Sequence, residues 1–460
     1  MKHASNLTEG SIKKKIITLT LTMMVGILSM VIFNIVDTIF IGRLGTIPLT
    51  AMSYTFPVVM LVTTISLGLG IGATTVVSRA IGKKELQLTK RLTTDSLFLS
   101  FTLVIIISGI GLLTIDPLFK AMGAKGEILR LIREYMIIWY FGVPFVIIPM
   151  VGNSAIRATG NTFIPSMIML TAVIVNIVLD PLLIFGIGPF PRLELRGAAI
   201  ATVIARATTF VVSILYLRYK FDMLTGKIPK MKKIFESWKQ ILYIGIPAAA
   251  TQAIRPIALG VVTRIISGFG VEAVAGLGVS SRIEMFAISP LMALSVVLVP
   301  FIGQNIGADK IERVKKAVHF SWICSMLWGA LIFIVFFIVG KNVGSLFNSN
   351  PKVISVVSLY LVIVSASYGF HGVCLLSTSV FNAMNKPLHS TLLNIIKMLV
   401  FYIPLAWIGS KLWGINGLFS GIALSSLLTG VIVVVWMNST IKKTEHSLLN
   451  KERNNLIENR

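Results

Sequence analysis

Apolar residues run along the chain in long blocks rather than in the short alternation of strands. Twelve such runs stand out, at 16–37, 54–76, 94–115, 134–152, 163–187, 197–217, 240–264, 281–303, 317–340, 355–379, 391–409 and 414–437. Each approaches the ~20 residues that an α-helix needs to cross a hydrocarbon core. A membrane β-barrel would show segments of about ten residues with alternating polarity instead. The pattern therefore predicts an all-α integral membrane protein with twelve transmembrane helices. Proline stands inside several runs, at Pro57, Pro144, Pro149, Pro181, Pro256, Pro290 and Pro404. A proline there frees a backbone carbonyl, which is tolerated only where protein or a wet cavity satisfies it. Kinked, cavity-lining helices suit a transporter better than an inert bundle.

Composition agrees with the pattern. Of 460 residues, 55% are hydrophobic and 13% charged, about half the charged share of an ordinary soluble domain, and the mean hydropathy is +0.86. The formal charge of +24 comes from 42 Lys and Arg against 18 Asp and Glu, a surplus that in a soluble chain would point to nucleic acid. Its placement decides otherwise. The N-terminus, the even-numbered connections and the C-terminal tail hold 27 basic residues, the odd-numbered connections 10, and the runs themselves five. By the positive-inside rule both termini are expected in the cytoplasm of a multi-pass protein of the inner membrane. Cys324 and Cys374 fall within apolar runs, where Cys behaves as a small hydrophobe. Lys13–Lys15 precede the first run like the n-region of a signal, but no small-residue cleavage pattern follows, so the run reads as a retained helix.

The chain also resembles itself. Ala80-Ile-Gly-Lys83 falls opposite Asn305-Ile-Gly-Ala308, and Ile41-Gly-Arg-Leu-Gly45 opposite Ile266-Ser-Gly-Phe-Gly270, both at an offset of 225. Ala158-Thr-Gly160 meets Ala383-Met-Asn385 at 225, and Arg196-Gly197 meets Asn416-Gly417 at 220. Six runs per half give both halves the same orientation, related by an axis along the membrane normal. The expected organisation is an N-terminal lobe at 1–217, a cytoplasmic inter-lobe loop at 218–239, a C-terminal lobe at 240–440 and a polar tail at 441–460.

Acids are scarce, so those inside apolar runs are informative. Asn34 and Asp37 stand three residues apart, Asn176 and Asp180 four apart, and each pair shares a helix face. A carboxylate at mid-membrane costs roughly 2.5–3.5 kcal/mol on insertion scales and marks a functional pathway by default. Two carboxylates with amide and hydroxyl oxygens suit a hard monovalent cation or a proton. Desolvation and a neighbouring carboxylate favour a protonated carboxyl, whereas a bound cation favours the ionised form. That competition couples site occupancy to helix packing. At the offset of 225 the acids fall on Val262 and Leu405, so only the first lobe carries the pair. Arg255, Arg264 and Lys397 lie in runs of the second lobe. The absence of a Walker A motif, a zinc-ligand cluster and a nucleophile elbow leaves enzymatic chemistry without a carrier, and no cofactor is expected.

These residues resemble the multidrug and toxic compound extrusion (MATE) transporters. The matching stretches are Asn34-Ile-Val-Asp37-Thr-Ile-Phe-Ile-Gly42-Arg43-Leu-Gly45, Gly72-Ala-Thr-Thr-Val-Val-Ser78-Arg-Ala-Ile-Gly82, Arg157-Ala-Thr-Gly160-Asn161-Thr-Phe-Ile-Pro165, Asn176-Ile-Val-Leu-Asp180-Pro-Leu-Leu-Ile-Phe-Gly186, Gly197-Ala-Ala-Ile-Ala-Thr202 and Gln304-Asn305-Ile-Gly307. They cover the chain from about residue 10 to 440 and are most similar to the prokaryotic DNA-damage-inducible protein F branch. The resemblance implies two six-helix lobes, alternating access, and export driven by Na⁺ or H⁺. Carried over by motif, Asp37, Asn176, Asp180 and Thr202 would form the cation or proton site, and would ligate Na⁺ if sodium is the coupling ion. Asn34 and Asn153 would face the same cavity. Other branches place an acid in the seventh helix where Arg255 stands here. Many relatives have a proline in the first helix where this chain has Thr22, which makes Gly26 the nearest weak point.

Met30, Phe33 and Arg255 complete the expected substrate cavity. The expected function is antiport of amphipathic, mostly cationic organic compounds, with the lipid bilayer and such drugs as partners and the chain acting as a monomer. The alternative is a flippase of the same superfamily for lipid-linked sugars, which would require a cationic cavity matched to phosphates.

Overall fold

The computed structural model describes residues 6–226, 230–347 and 350–458, with the side chains of Asn34, Ile35, Thr38 and residues 451–458 outside that description. Among the described residues the chain is helical, with no strand. In chain order the helices are α1 (Ile12–Gly42), α2 (Thr46–Gly82), α3 (Leu86–Ala121), α4 (Gly126–Gly142), α5 (Pro144–Ala158), α6 (Phe163–Phe185), α7 (Glu194–Leu215), α8 (Met231–Ile266), α9 (Val271–Gly307), α10 (Ile311–Ser345), α11 (Pro351–Ser365), α12 (Tyr368–Ala383), α13 (Pro387–Ile395) and α14 (Ile403–Glu458). Short π-helical turns follow α7 at Tyr216–Lys220 and join α13 to α14 at Ile396–Tyr402.

Every expected run falls on helix. Among the described residues ten helical stretches, α4 and α5 together forming one of them, are long and apolar enough to cross a membrane, and α11 with α12, bent by 61°, brings the count to eleven when the pair is taken as one span. The last stretch, Pro387–Asn450, contains two runs and is broken at Trp413 and Gly414, where Gly414 has φ +60°. A Cβ on Gly421 would strike the carbonyl oxygen of Leu405. Sixteen residues of unbroken helix would hold those two about 24 Å apart, so the chain reverses at the break and passes twice. Large apolar side chains such as Leu113, Phe337, Ile338 and Val435 are exposed, as helices facing lipid require.

Two compact units emerge. Of the described residues, one comprises Asn6 and those from 21 to 249, the other those from 7 to 20 and from 250 onward. Their limits differ from the lobes expected from chain order. Residues 7–20 pack with the second unit because Leu7 donates its N–H to Gln304 Oε1 (3.1 Å), and Arg313 binds the carbonyls of Leu7, Glu9 and Gly10. The other limit, at 249/250, lies inside α8 and not in the 218–239 stretch. The first half of α8 belongs to the first unit because Gly68 and Gly72 of α2 let its backbone approach. A Cβ at either glycine would strike the carbonyl of Gly245 or Ile241, the close packing of small residues usual between membrane helices. The stretch expected as a loop holds a π-turn and the start of α8. It is also pinned, since Thr225 N–H donates to Thr94 Oγ1 and Trp238 Nε1 to the carbonyl of Asp95, each at 3.0 Å. The polar tail continues α14 as helix to Glu458.

Helix α1 is unbroken. Thr22, standing where relatives carry proline, hydrogen-bonds Thr162 through its hydroxyl. Gly26 is a packing position: a Cβ there would lie 2.9 Å from Ser166 Oγ and 3.2 Å from the Met169 sulfur on α6.

Candidate functional site

In the first unit α1, α6 and α7 converge on a small apolar cluster of Phe33, Val173 and Ala205. Each residue leads to a polar one on its own helix. Phe33 lies one turn before Asp37, Val173 one turn before Asn176, and Ala205 precedes Arg206. Asp37 is 8% exposed, and Asn176 and Asp180 are fully buried. Asn176 Nδ2 donates to Asp180 Oδ1 at 3.0 Å, as their spacing of four predicts. The two carboxylates act on each other electrostatically, and both act on the buried Tyr135 of α4.

The arrangement leaves oxygen atoms over. Asp37 Oδ1, Asn176 Oδ1 and Asp180 Oδ2 are buried without a hydrogen-bond partner, a state that costs about 1–3 kcal/mol per neutral group and more for charged ones. Pro181 lies inside α6 and lacks the N–H that would bond the carbonyl of Ile177, which adds a further acceptor. Three unsatisfied acceptors on two helices describe a place for a cation or proton. Among the described residues no three His, Cys, Asp or Glu side chains converge to hold a metal ion. A cation here would therefore rest on two carboxylates and amide or carbonyl oxygens, the donor set of a hard ion.

The remaining candidates are placed as follows. Thr202 is half-buried on α7, one turn before Arg206 and on the same face. Asn153 is buried on α5 with its Oδ1 unpartnered, and no hydrogen bond joins it to the acids among the described residues. Met30 is half-buried on α1, one turn before Phe33. The side chain of Asn34 lies outside the described residues. Arg255 belongs to the second unit, where its Nη2 lies 4.0 Å from Glu284 Oε1.

Sequence reading assigned no role to Arg206 or Tyr135. The Arg206 guanidinium stacks over the Phe33 ring at 4.6 Å and acts on Asp37, while its Nε is buried and unpartnered. The signal was available in part, since a mid-span arginine carries the same functional presumption as a mid-span acid.

The profile of the MatE family matches residues 22–182 and 247–408. The chain belongs to the MATE family. The two matched stretches begin 225 residues apart, the offset of the internal repeat. A FAD transporter of Shewanella oneidensis is 36% identical over 94% of this chain and 95% of its own. The multidrug export protein MepA of Staphylococcus haemolyticus is 28% identical over 98% and 97%. Among solved structures, the Vibrio cholerae MATE transporter VcmN in its bent form superposes with a TM-score of 0.89 at 30% identity, covering 95% of this chain and 98% of that one. A multidrug resistance MATE transporter in its outward-facing conformation gives 0.90 at 25% identity over 96% and 99%. These relatives are transporters, and this MATE protein is a multi-pass membrane protein of the same fold.

Proposed function

We propose that this MATE protein is a secondary active exporter that moves amphipathic, mostly cationic organic compounds outward by alternating access, in exchange for inward Na⁺ or H⁺. Both termini lie in the cytoplasm, and the protein resides in the inner membrane. The observation that carries the reading is the buried set of Asp37, Asn176 and Asp180 with one unpartnered oxygen on each. A monovalent cation or proton satisfies those oxygens, and its departure restores the repulsion between the acids. Occupancy thereby biases the packing of α1 against α6, which gives the ion differential affinity for two conformations.

The test is dye efflux from everted vesicles under an imposed Na⁺ or pH gradient. Wild type is expected to transport under one of the two gradients, and Asp37→Asn and Asp180→Asn to lose the gradient dependence. Variants that still move dye along the gradient overturn the coupling role.

A second reading concerns the substrate. The 36% identity to a FAD transporter, together with Arg255 and Lys397 inside spans of the second unit, supports a flavin dinucleotide or a similar anion as cargo. Competition between a cationic dye and FAD for the same efflux separates the two readings.

A further inference from the structure

The second unit repeats the helices of the acid site but inverts their charge. Arg255 on α8 stands 225 residues after Met30 of α1, Lys397 stands 225 after Ala172 of α6, and Tyr360 stands 225 after Tyr135. Thus the repeat counterparts of the helices that carry Asp37 and Asp180 carry an arginine and a lysine. Glu284 on α9 is the acid that acts on these cations. Tyr360 donates its hydroxyl to Oε2, and Arg255 Nη2 lies 4.0 Å from Oε1, an ion pair without a direct hydrogen bond.

Lys397 is left over. It is 4% exposed, and no salt bridge among the described residues involves it. Cys374, Arg255 and Glu284 all act on it electrostatically. It lies in the π-helical turn Ile396–Tyr402, a rare form that recurs at functional sites. The Tyr368 hydroxyl, which senses Glu284 and Arg255, is buried without a partner. The Arg255 side chain is 52% exposed. A charge within a span faces the bundle interior or a water-filled cavity and not lipid.

We infer that Lys397 and Arg255, with the Tyr368 hydroxyl, form an anion subsite that receives the phosphate or carboxylate of a transported organic compound. Two cations against one acid leave a net charge of +1, which an anionic group neutralises. Lysine supplies a point charge, and arginine a fork of donors suited to a phosphate. The inference rests on the second reading above, an anionic cargo moved by the exporter, and adds to it the side chains of the second unit that would receive the anionic group.

The purified full-length chain in detergent micelles is titrated with methylumbelliferyl phosphate and with methylumbelliferone, which differ by the phosphate alone. The phosphate ester is expected to bind about tenfold tighter, the scale of one charge-assisted hydrogen bond, and the preference is expected to shrink as salt rises. Lys397→Met is expected to erase the preference and Lys397→Arg to retain part of it. Equal binding of the two probes to wild type overturns the subsite. So does a preference that survives in monodisperse Lys397→Met. If Lys397→Met does not fold, Arg255→Gln is read in the same way. Displacement of the ester by a polyprenyl phosphate assigns the site to a lipid headgroup, and displacement by a water-soluble organic phosphate assigns it to soluble cargo; displacement by neither overturns it. No gradient is present in this measurement, so its failure is distinct from failure of ion coupling in Asp37→Asn.

Discussion

At the residue scale, Arg206 changes the charge of the acid site. Two carboxylates beside one guanidinium carry a net charge of −1, which a single monovalent cation or proton neutralises. Removing the guanidinium strengthens the field on an incoming cation by about 1–3 kcal/mol for charges some 6–15 Å apart at an effective dielectric of about 20. Arg206→Gln is therefore expected to bind the coupling cation about tenfold tighter or more in a fluorescence titration of the purified protein. Unchanged or weaker binding would remove Arg206 from the site. A second charge pair lies outside the spans: Lys90 Nζ donates to Asp222 Oδ2 at 2.6 Å. That hydrogen bond, with the charge of Lys90, holds the Asp222 carboxyl below its ordinary value of 3.8. The folded-state value is lowered, so the pair contributes at neutral pH and is lost as pH falls through the acid range. An NMR titration is expected to place the Asp222 midpoint below 3.8, and Lys90→Gln to move it back up. Exposure and salt screening keep the contribution to stability small. The acids were legible in sequence because a carboxylate in an apolar run is costly and therefore rare. Arg206 and Tyr135 were not assigned, because their meaning depends on which neighbouring helix they face, and periodicity along one helix does not give that.

At the element scale, glycines set how closely the helices approach. Gly197 at the start of α7 sits against α6, where a Cβ would strike the carbonyl of Leu183. Gly197→Ala must push the two helices apart, and overpacking of this kind costs about 1–3 kcal/mol. Gly109 of α3 faces open space, with nothing within 4 Å of an added Cβ. There alanine reduces the conformational freedom lost on folding and gains about 0.5–1 kcal/mol. Thermal unfolding in detergent is expected to show a lower midpoint for Gly197→Ala and a higher one for Gly109→Ala. The same contact recurs at Gly421 and Leu405, which are offset from Gly197 and Leu183 by 224 and 222 residues, so the structural counterpart of Gly197 is Gly421 and not the Gly417 expected from sequence. The repeat is thus preserved as a helix contact where its sequence match is weak, because a carbonyl pressed on a glycine constrains the absence of a side chain and little else.

At the scale of the whole molecule, the chain does not divide where its charge pattern suggests. The segment before α1 is held to the second unit by Arg313, which donates to Asn305 Oδ1 and to three backbone carbonyls at 3.0–3.2 Å. Arg313→Ala is expected to release residues 7–10 at a cost of about 1.5–3 kcal/mol, seen as faster proteolysis of the N-terminal segment with the remainder intact. Unchanged proteolysis would show that the apolar contacts of Leu7 and Ile16 hold the segment without it. The sequence by itself determined the membrane class, the many long apolar helices, the repeat and the presence of two acids inside apolar runs. Each of these follows from a cost that any residue bears in a bilayer: apolar length, unpaired backbone groups, or a charge removed from water. Only the tertiary structure decided which helices meet, and so brought Arg206 and Tyr135 to the acids, set Glu284 beside Tyr360 and Arg255, and buried Lys397 within their field. Those relations depend on packing between segments far apart in the chain, and no local pattern encodes the distance between them.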